Sequence, residues 1–444
     1  MVSMKIDYFD LARICASGQI FRMYDRGDDI FDVYSCSRHI RLRRRKGNRV
    51  DFFCTPEEFD SYWKRYFDLD RDYGGIVKEA LKDAPCPEDQ TGAGSAATED
   101  RADDGFHATE DQTQEGSAAT KDPAQDGYEA TEDRANDGSH ATEDQKKDRN
   151  QPDHRTDIFV AAACRYGAGI RILHQDIWEM LISFIISQQK QIPSIRKCIE
   201  ALCVRFGERR CEMIPVSGDT DPEILPAGQE MQDTVTCDAS RDDDPANDEK
   251  DSLFEEHVWY TFPTARAIAE GGPEGLKGLS LGYRERYIYE TAVRYQTEGL
   301  PYEDVESMGL EAASAYFKSF CGVGEKVANC ICLFGAGYVD AFPIDTHIKD
   351  ILYREYYLKD GCSDICDFGS SRKDTGKDNK QYQETGNIVV RGRGKDDSCE
   401  IKEQIKLTQS DYEELVRLHF DRFKGYRGIV QQWIFAWELV RGKN

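Results

Sequence analysis

Between residues 86 and 157 the chain repeats itself. "ATED" or a close variant begins at Ala97, Ala108, Ala119, Ala130 and Ala141, a period of eleven. An eleven-residue period supports a right-handed coiled coil only where an apolar seam runs along the helix. These copies carry almost no apolar side chains, and an Asp-Gly or Glu-Gly falls between them. Such a segment cannot bury enough surface to offset the entropy of ordering it, so it is expected to be disordered. Whatever folds must be assembled from the pieces on either side.

The same stretch removes most of the charge from the argument. The formal net charge is -25, but residues 86–157 hold 20 Asp/Glu against 7 Lys/Arg, and residues 216–251 hold 12 against 2. These two segments supply -13 and -10, which is -23 of the -25. The remaining chain is close to neutral, so the acidic total says little about what the folded part binds. The stretches 216–256 and 367–401 read as further disordered inserts. The repeat is also expected to compete with a polyanion for the basic side chains Lys190, Arg284 and Arg286.

Three ordered blocks are left. In residues 1–85, "QIFRMY", "IFDVYSC", "RHIRLRRR" and "NRVDFFC" read as short strands, with turn signals at Arg26-Gly27-Asp28 and Gly47-Asn48. Pro56 then opens a helix. Residues 158–366 are helical: "DIWEMLISFIISQQ" carries apolar residues at 177, 178, 181, 182, 185 and 186, one face of a helix. Residues 402–444 form two more helices. The expected class is α+β, with an N-terminal small antiparallel sheet packed on a two-part helical body. No run of 18 or more apolar residues exists and the first residues lack a signal-peptide pattern, so a cytoplasmic protein is expected. The 15 cysteines read as reduced thiols, because Cys330-x-Cys332 and Cys362-x3-Cys366 lack the spacing or partners of a zinc site.

In "FCGVGEKVANCICLF" one helix ends near Phe320 and another begins near Glu325. Gly322 and Gly324 permit the tight turn between them, giving a helix-hairpin-helix. Its loop sets backbone N–H groups beside the positive end of the second helix, which suits a phosphate. Lys326 lies in that helix's first turn. The helix dipole disfavours a cation there but not a neutral amine, so the position suits a nucleophile. An ordinary αα-turn with a surface lysine fits the same residues. Further on, "AFPIDTHIKDIL" places Asp345 where it caps a helix. A carboxylate held there could also stabilise positive charge developing on a sugar.

These motifs resemble the helix-hairpin-helix DNA glycosylase superfamily, and within it the 8-oxoguanine DNA glycosylase/AP lyases. "SGQIFRMY", "IRILHQDIWEMLISFIISQQKQI", "FPTARAIA", "LSLGYRERY", "GVGEKVANCICL", "PIDTHI" and "YRGIVQQWIFA" occur in the family's order. The resemblance implies a bifunctional enzyme that excises oxidised guanine from duplex DNA and cleaves the strand. Lys326 would attack C1′ and form a Schiff base, and Asp345 would support the charge on the sugar. Gly18 would present a backbone carbonyl to the N7 hydrogen of the oxidised base. Gln431 would read the base edge, with Phe435 and Cys330 on its two faces. Gln189 and Tyr283 would fill and kink the opened stack, and Arg284 would contact the orphaned base. Gly322 and Gly324 would shape the phosphate-binding hairpin, and His347 would sit near a phosphate.

The resemblance requires no cofactor and no iron–sulfur cluster, and it allows a monovalent cation on the hairpin carbonyls. It implies a monomer acting on duplex DNA without a membrane. Where animal members read cytosine with an arginine, this chain has Pro193 and Ser194. Two rivals share these residues: a glycosylase of the superfamily with another lesion, and a non-catalytic module that uses the hairpin only to clamp phosphate.

Overall fold

The computed structural model describes residues 1–84, 157–215, 254–299, 302–358 and 406–441. The expected disorder of the repeat and of most of the two later inserts lies outside these residues.

Five antiparallel strands form the N-terminal sheet: β1 Val2–Lys5, β2 Met23–Gly27, β3 Ile30–Ser35, β4 Arg38–Arg45 and β5 Arg49–Phe52, in the order β1-β5-β4-β3-β2. The turns carry the backbone that tight hairpins demand. Asp28 and Asp29 both hold positive φ between β2 and β3, and Gly47 and Asn48 do so between β4 and β5. β1 was not among the expected strands. β2 starts at Met23 rather than at Gln19, because Gln19 and Ile20 turn into the core ahead of it. Helix α1, Leu11–Ala16, leads into that turn. Thr55 caps the helix that Pro56 opens.

The helical body contains α2 Ile158–Gly167, α3 Ile177–Ser187, α4 Ile192–Phe206, α5 Arg284–Glu298, α6 Leu310–Lys318, α7 Glu325–Phe334 and α8 Thr346–Ile351. The chain closes with α9 Gln409–Phe420 and α10 Arg427–Arg441. The sequence suggests one buried face for α3. Instead every residue from Ile177 to Ser187 is buried, so α3 is the central helix of the body. Even Glu179 is inside, where its carboxylate accepts the Cys36 N–H at 2.7 Å.

A second departure is a two-stranded antiparallel ribbon, β6 Arg209–Pro215 and β7 Phe254–Tyr260. It corrects both the all-helical reading of this block and the far edge of the insert, since residues 254–256 are strand. The ribbon docks on the sheet through polar side chains. His39 Nδ1 meets Glu212 Oε1 at 2.5 Å, Tyr34 Oη meets His257 Nε2 at 2.6 Å, and Arg41 reaches Glu255 at 3.3 Å.

Sheet and helices share one apolar core. The segment "IRILHQ" straps them together. Arg171, 5% exposed, donates to the carbonyls of Asp7, Tyr8 and Asp68 at 2.7–3.0 Å. Gln19 accepts from Leu173 N and donates to Arg171 O, both at 2.9 Å. No described helix is long and apolar enough to cross a membrane.

Candidate active site

The turn between α6 and α7 forms as its glycines require. Gly322 holds φ +78°, and a Cβ there would drive into the Tyr287 ring on α5. Gly324, in extended backbone, is the N-cap of α7 and lends no side chain, so the first-turn N–H groups have no side-chain cap. Lys326 is half-buried in that turn, its Nζ 5.2 Å from the centre of the Phe184 ring on α3. Cys330 lies one turn along and within hydrogen-bonding reach of Lys326. Burial pushes the Cys330 thiol up to about 11, with Lys326 opposing the rise and Asp345 adding to it. The three side chains therefore share one neighbourhood.

Asp345 caps α8, its Oδ1 accepting the Ile348 N–H at 2.8 Å. The cap fixes the carboxylate without consuming it, because Oδ2 keeps its lone pairs. His347, two residues on, is exposed and meets the Phe435 ring edge-on, with centroids 5.9 Å apart. Phe435, half-buried on α10, lies against Gly18, where φ is +79° and an added Cβ would sit 3.1 Å from Phe435 Cε1. Gln431, one turn earlier on α10, donates through Nε2 to Pro343 O at 3.3 Å. Its Oε1 is buried and has no hydrogen-bond partner. A buried amide oxygen left open costs free energy unless a donor arrives, and an everted base edge is such a donor. Lys326, Cys330 and Asp345 thus form one group and Gly18, Phe435 and His347 another, joined by the 343–347 segment on which Gln431 also rests.

The residues expected to face DNA divide. Gln189 follows α3 with φ +50° and is exposed. Tyr283 is 48% exposed and packs edge-on against Tyr287. Both side chains lie at the surface. Arg284 departs from the expectation that it reaches the orphaned base. It is 6% exposed, and its guanidinium donates to the carbonyls of Leu281, at 3.0 Å, and of Gln188. As placed, it fixes a loop. Lys190 bonds to Ser280 O and Arg286 pairs with Glu290, so the basic surface expected from these three residues is smaller than their count.

Several residues of the site were not singled out in the sequence. Gln188 donates through Nε2 to Gly322 O at 2.9 Å, joining the end of α3 to the hairpin. The "SQQ" pair signalled it weakly, since polar residues ending an apolar helix need partners. Gln432 donates to Ser17 O at 2.6 Å and holds the Gly18 turn against α10. Phe184 forms the floor under Lys326, and nothing in its apolar run distinguished it. A cavity of about 500 Å³, lined by Arg13, Cys15, Gly18, Ile192, Arg196 and Leu439, opens beside the Gly18 turn.

Comparison with known proteins finds glycosylases. Residues 1–94 match the family described as 8-oxoguanine DNA glycosylase, N-terminal domain. The N-glycosylase/DNA lyase of Saccharomyces cerevisiae is 27% identical over 207 residues, 43% of this chain and 43% of the yeast protein. A probable N-glycosylase/DNA lyase of Methanothermobacter thermautotrophicus is 30% identical over 120 residues, 23% of this chain and 38% of that protein. The matches thus span less than half the length of these curated relatives. Among solved structures, the Clostridium acetobutylicum 8-oxoguanine glycosylase/lyase bound to DNA superposes with a TM-score of 0.57 at 19% identity, over 98% of this chain and 93% of that one. The 3-methyladenine DNA-glycosylase of Archaeoglobus fulgidus gives 0.51 at 12% identity, over 99% and 98%. The chain has the α+β fold of these glycosylases.

Proposed function

We propose that this chain, whose first 94 residues match the N-terminal domain of 8-oxoguanine DNA glycosylases, excises oxidised guanine from duplex DNA and then cleaves the strand as an AP lyase. The observation that carries the reading is the setting of Lys326. It is half-buried on the hairpin helix, within hydrogen-bonding reach of Cys330 and with Asp345 nearby, and the segment that carries Asp345 meets Gln431 through Pro343 O and Phe435 through His347. A phosphate clamp would need the hairpin N–H groups but not this cluster.

The steps follow from the residues. The lesion nucleotide leaves the stack at a cost of a few kcal/mol, and Gln189 and Tyr283 occupy the gap. The base enters beside Phe435, with Cys330 on its other face. The Gly18 carbonyl accepts the N7 hydrogen that ordinary guanine lacks, and Gln431 Oε1 takes a donor from the base edge. The amine of Lys326 attacks C1′ through its nitrogen lone pair, its proton passing to the departing base. The glycosidic C–N bond breaks, and its electron pair leaves with the base. The sugar carries positive charge in this step, which the Asp345 carboxylate stabilises. Ring opening gives the Schiff base. Loss of a C2′ proton then expels the 3′ phosphate by β-elimination, and water releases the enzyme.

No metal or redox group enters these steps. A monovalent cation on the hairpin remains compatible with them. The carbonyls of Ser319, Phe320 and Gly322 each accept a hydrogen bond, and a carbonyl has a second lone pair. The proposed setting is the cytoplasm, as a monomer on duplex DNA.

Borohydride trapping on abasic duplex tests the reading. Wild type should crosslink to the DNA, and Lys326→Gln should not. Equal trapping by both proteins would leave the hairpin as a clamp and overturn the assignment.

A further inference from the structure

We infer that Gln188 is a positioning residue that couples the stack-entering loops to the lysine hairpin, an inference that rests on the glycosylase reading above. Gln188 is the C-cap of α3, and at φ -56°, ψ 128° its backbone leaves the helical path. Two of its groups are then taken up by different segments. The side-chain Nε2 donates to Gly322 O at 2.9 Å, four residues before Lys326. The backbone carbonyl accepts from Arg284 Nη2.

Arg284 is itself locked. It is 6% exposed, donates through Nη1 to Leu281 O at 3.0 Å, and stacks its guanidinium 4.3 Å from the centre of the Tyr283 ring. Tyr287 closes the circuit, packing edge-on against Tyr283 with centroids 5.7 Å apart and abutting Gly322. The exposed side chains that would enter the duplex, Gln189 and Tyr283, are sequence neighbours of Gln188 and Arg284. One residue therefore ties three segments: the end of α3, the Tyr283 turn and the hairpin.

The consequence is mechanical. When Gln189 or Tyr283 enters the stack, the hairpin moves with it, so Lys326 reaches C1′ in register with the leaving base. The link depends on a donor at Nε2. Gln188→Glu has the same shape but sets a carboxylate oxygen against the Gly322 carbonyl, which repels it. Gln188→Met keeps the length and has no donor. Both keep the backbone carbonyl that Arg284 holds.

The experiment compares wild type, Gln188→Glu and Gln188→Met in three assays. These are DNA affinity, single-turnover excision from an 8-oxoguanine duplex, and borohydride trapping on single-stranded abasic DNA, where no base need be everted. Both variants should hold duplex affinity within about twofold but lose at least about tenfold in single-turnover excision, as expected of a misplaced catalytic group. Trapping on single-stranded abasic DNA should stay within about twofold of wild type. Equal losses in excision and single-stranded trapping would mean general damage around Lys326 and would overturn the coupling. Unchanged excision would make the contact a bystander and overturn it too. If Gln188→Glu fails to fold, Gln188→Met decides alone. A wild type that does not trap at all would sink the glycosylase reading itself, which differs from a wild type that traps beside variants that match it.

Discussion

Gly18 and Phe435 come from opposite ends of the chain and touch. A methyl group added at Gly18 would sit 3.1 Å from Phe435 Cε1, and Gln432, three residues from Phe435, donates to the Ser17 carbonyl just before the turn. The proposed base pocket therefore requires the N-terminal turn to be seated on the last helix.

Gly18→Ala should separate lesion recognition from strand cleavage. At φ +79° the substitution strains the backbone by about 1–2 kcal/mol and crowds Phe435 as well. We expect a lowered melting temperature but a folded protein. Excision of 8-oxoguanine should drop at least about tenfold, while lyase action on a preformed abasic site stays within about twofold. Parallel kinetics on the two substrates are the check, and equal loss on both would count against a base-reading role for this turn.

The legible parts of the site are those with short-range causes. The hairpin glycines and the Asp345 cap are each set within a few residues, and each forms as expected; α3 also forms as a helix, though buried on every side rather than on one face. The β6–β7 ribbon was hidden because its two strands pair across a long acidic insert, and Glu255 and Glu256 at its return look like part of that insert. The burial of Arg284 was hidden for a different reason. A guanidinium satisfied by backbone carbonyls leaves no charge partner in the sequence to reveal it.

Glu179 should make stability fall as pH rises. Burial in α3 pushes its carboxyl up to about 7, against the pull of Arg22 and the Cys36 N–H. The native state then holds a proton that the unfolded chain, at the ordinary value of 4.5, has released. The contribution is fully present below about pH 4.5 and is lost as pH rises through about 7. Glu179→Gln keeps an acceptor for Cys36 N and cannot ionise. Relative to the variant, wild type should lose roughly 3 kcal/mol between pH 4.5 and pH 8. Urea unfolding at both pH values measures it, and a difference that does not change with pH would refute the buried-acid account.

Removing residues 86–157 should tighten binding to DNA at low salt. The segment holds 20 acidic against 7 basic side chains, so it should compete with phosphate for the cations the folded body presents. The effect should be modest, because Arg284 is buried and Arg286 is paired with Glu290. It should also fade as salt screens the exposed charges. Excision from saturating substrate should not change. A salt titration of affinity for both proteins tests this, and equal affinities at low salt would remove the competition.

In the proposed reaction the base opposite the lesion should matter little. Direct reading of cytosine needs a donor or acceptor aimed at its edge, and a good bidentate contact is worth about 1–3 kcal/mol of discrimination. At the start of α4 the chain offers Pro193, which has no side-chain polar group, and Ser194, which is too short to span a vacated pairing site. Arg284, the other candidate reader, donates to Leu281 O and Gln188 O and would have to break both bonds to turn outward. With neither reader in place, duplexes carrying 8-oxoguanine opposite each of the four bases should be cut at single-turnover rates within about tenfold of one another. A preference for cytosine of a hundredfold or more would mean that Arg284 leaves its carbonyls on binding DNA, and Arg284→Lys should then abolish the preference.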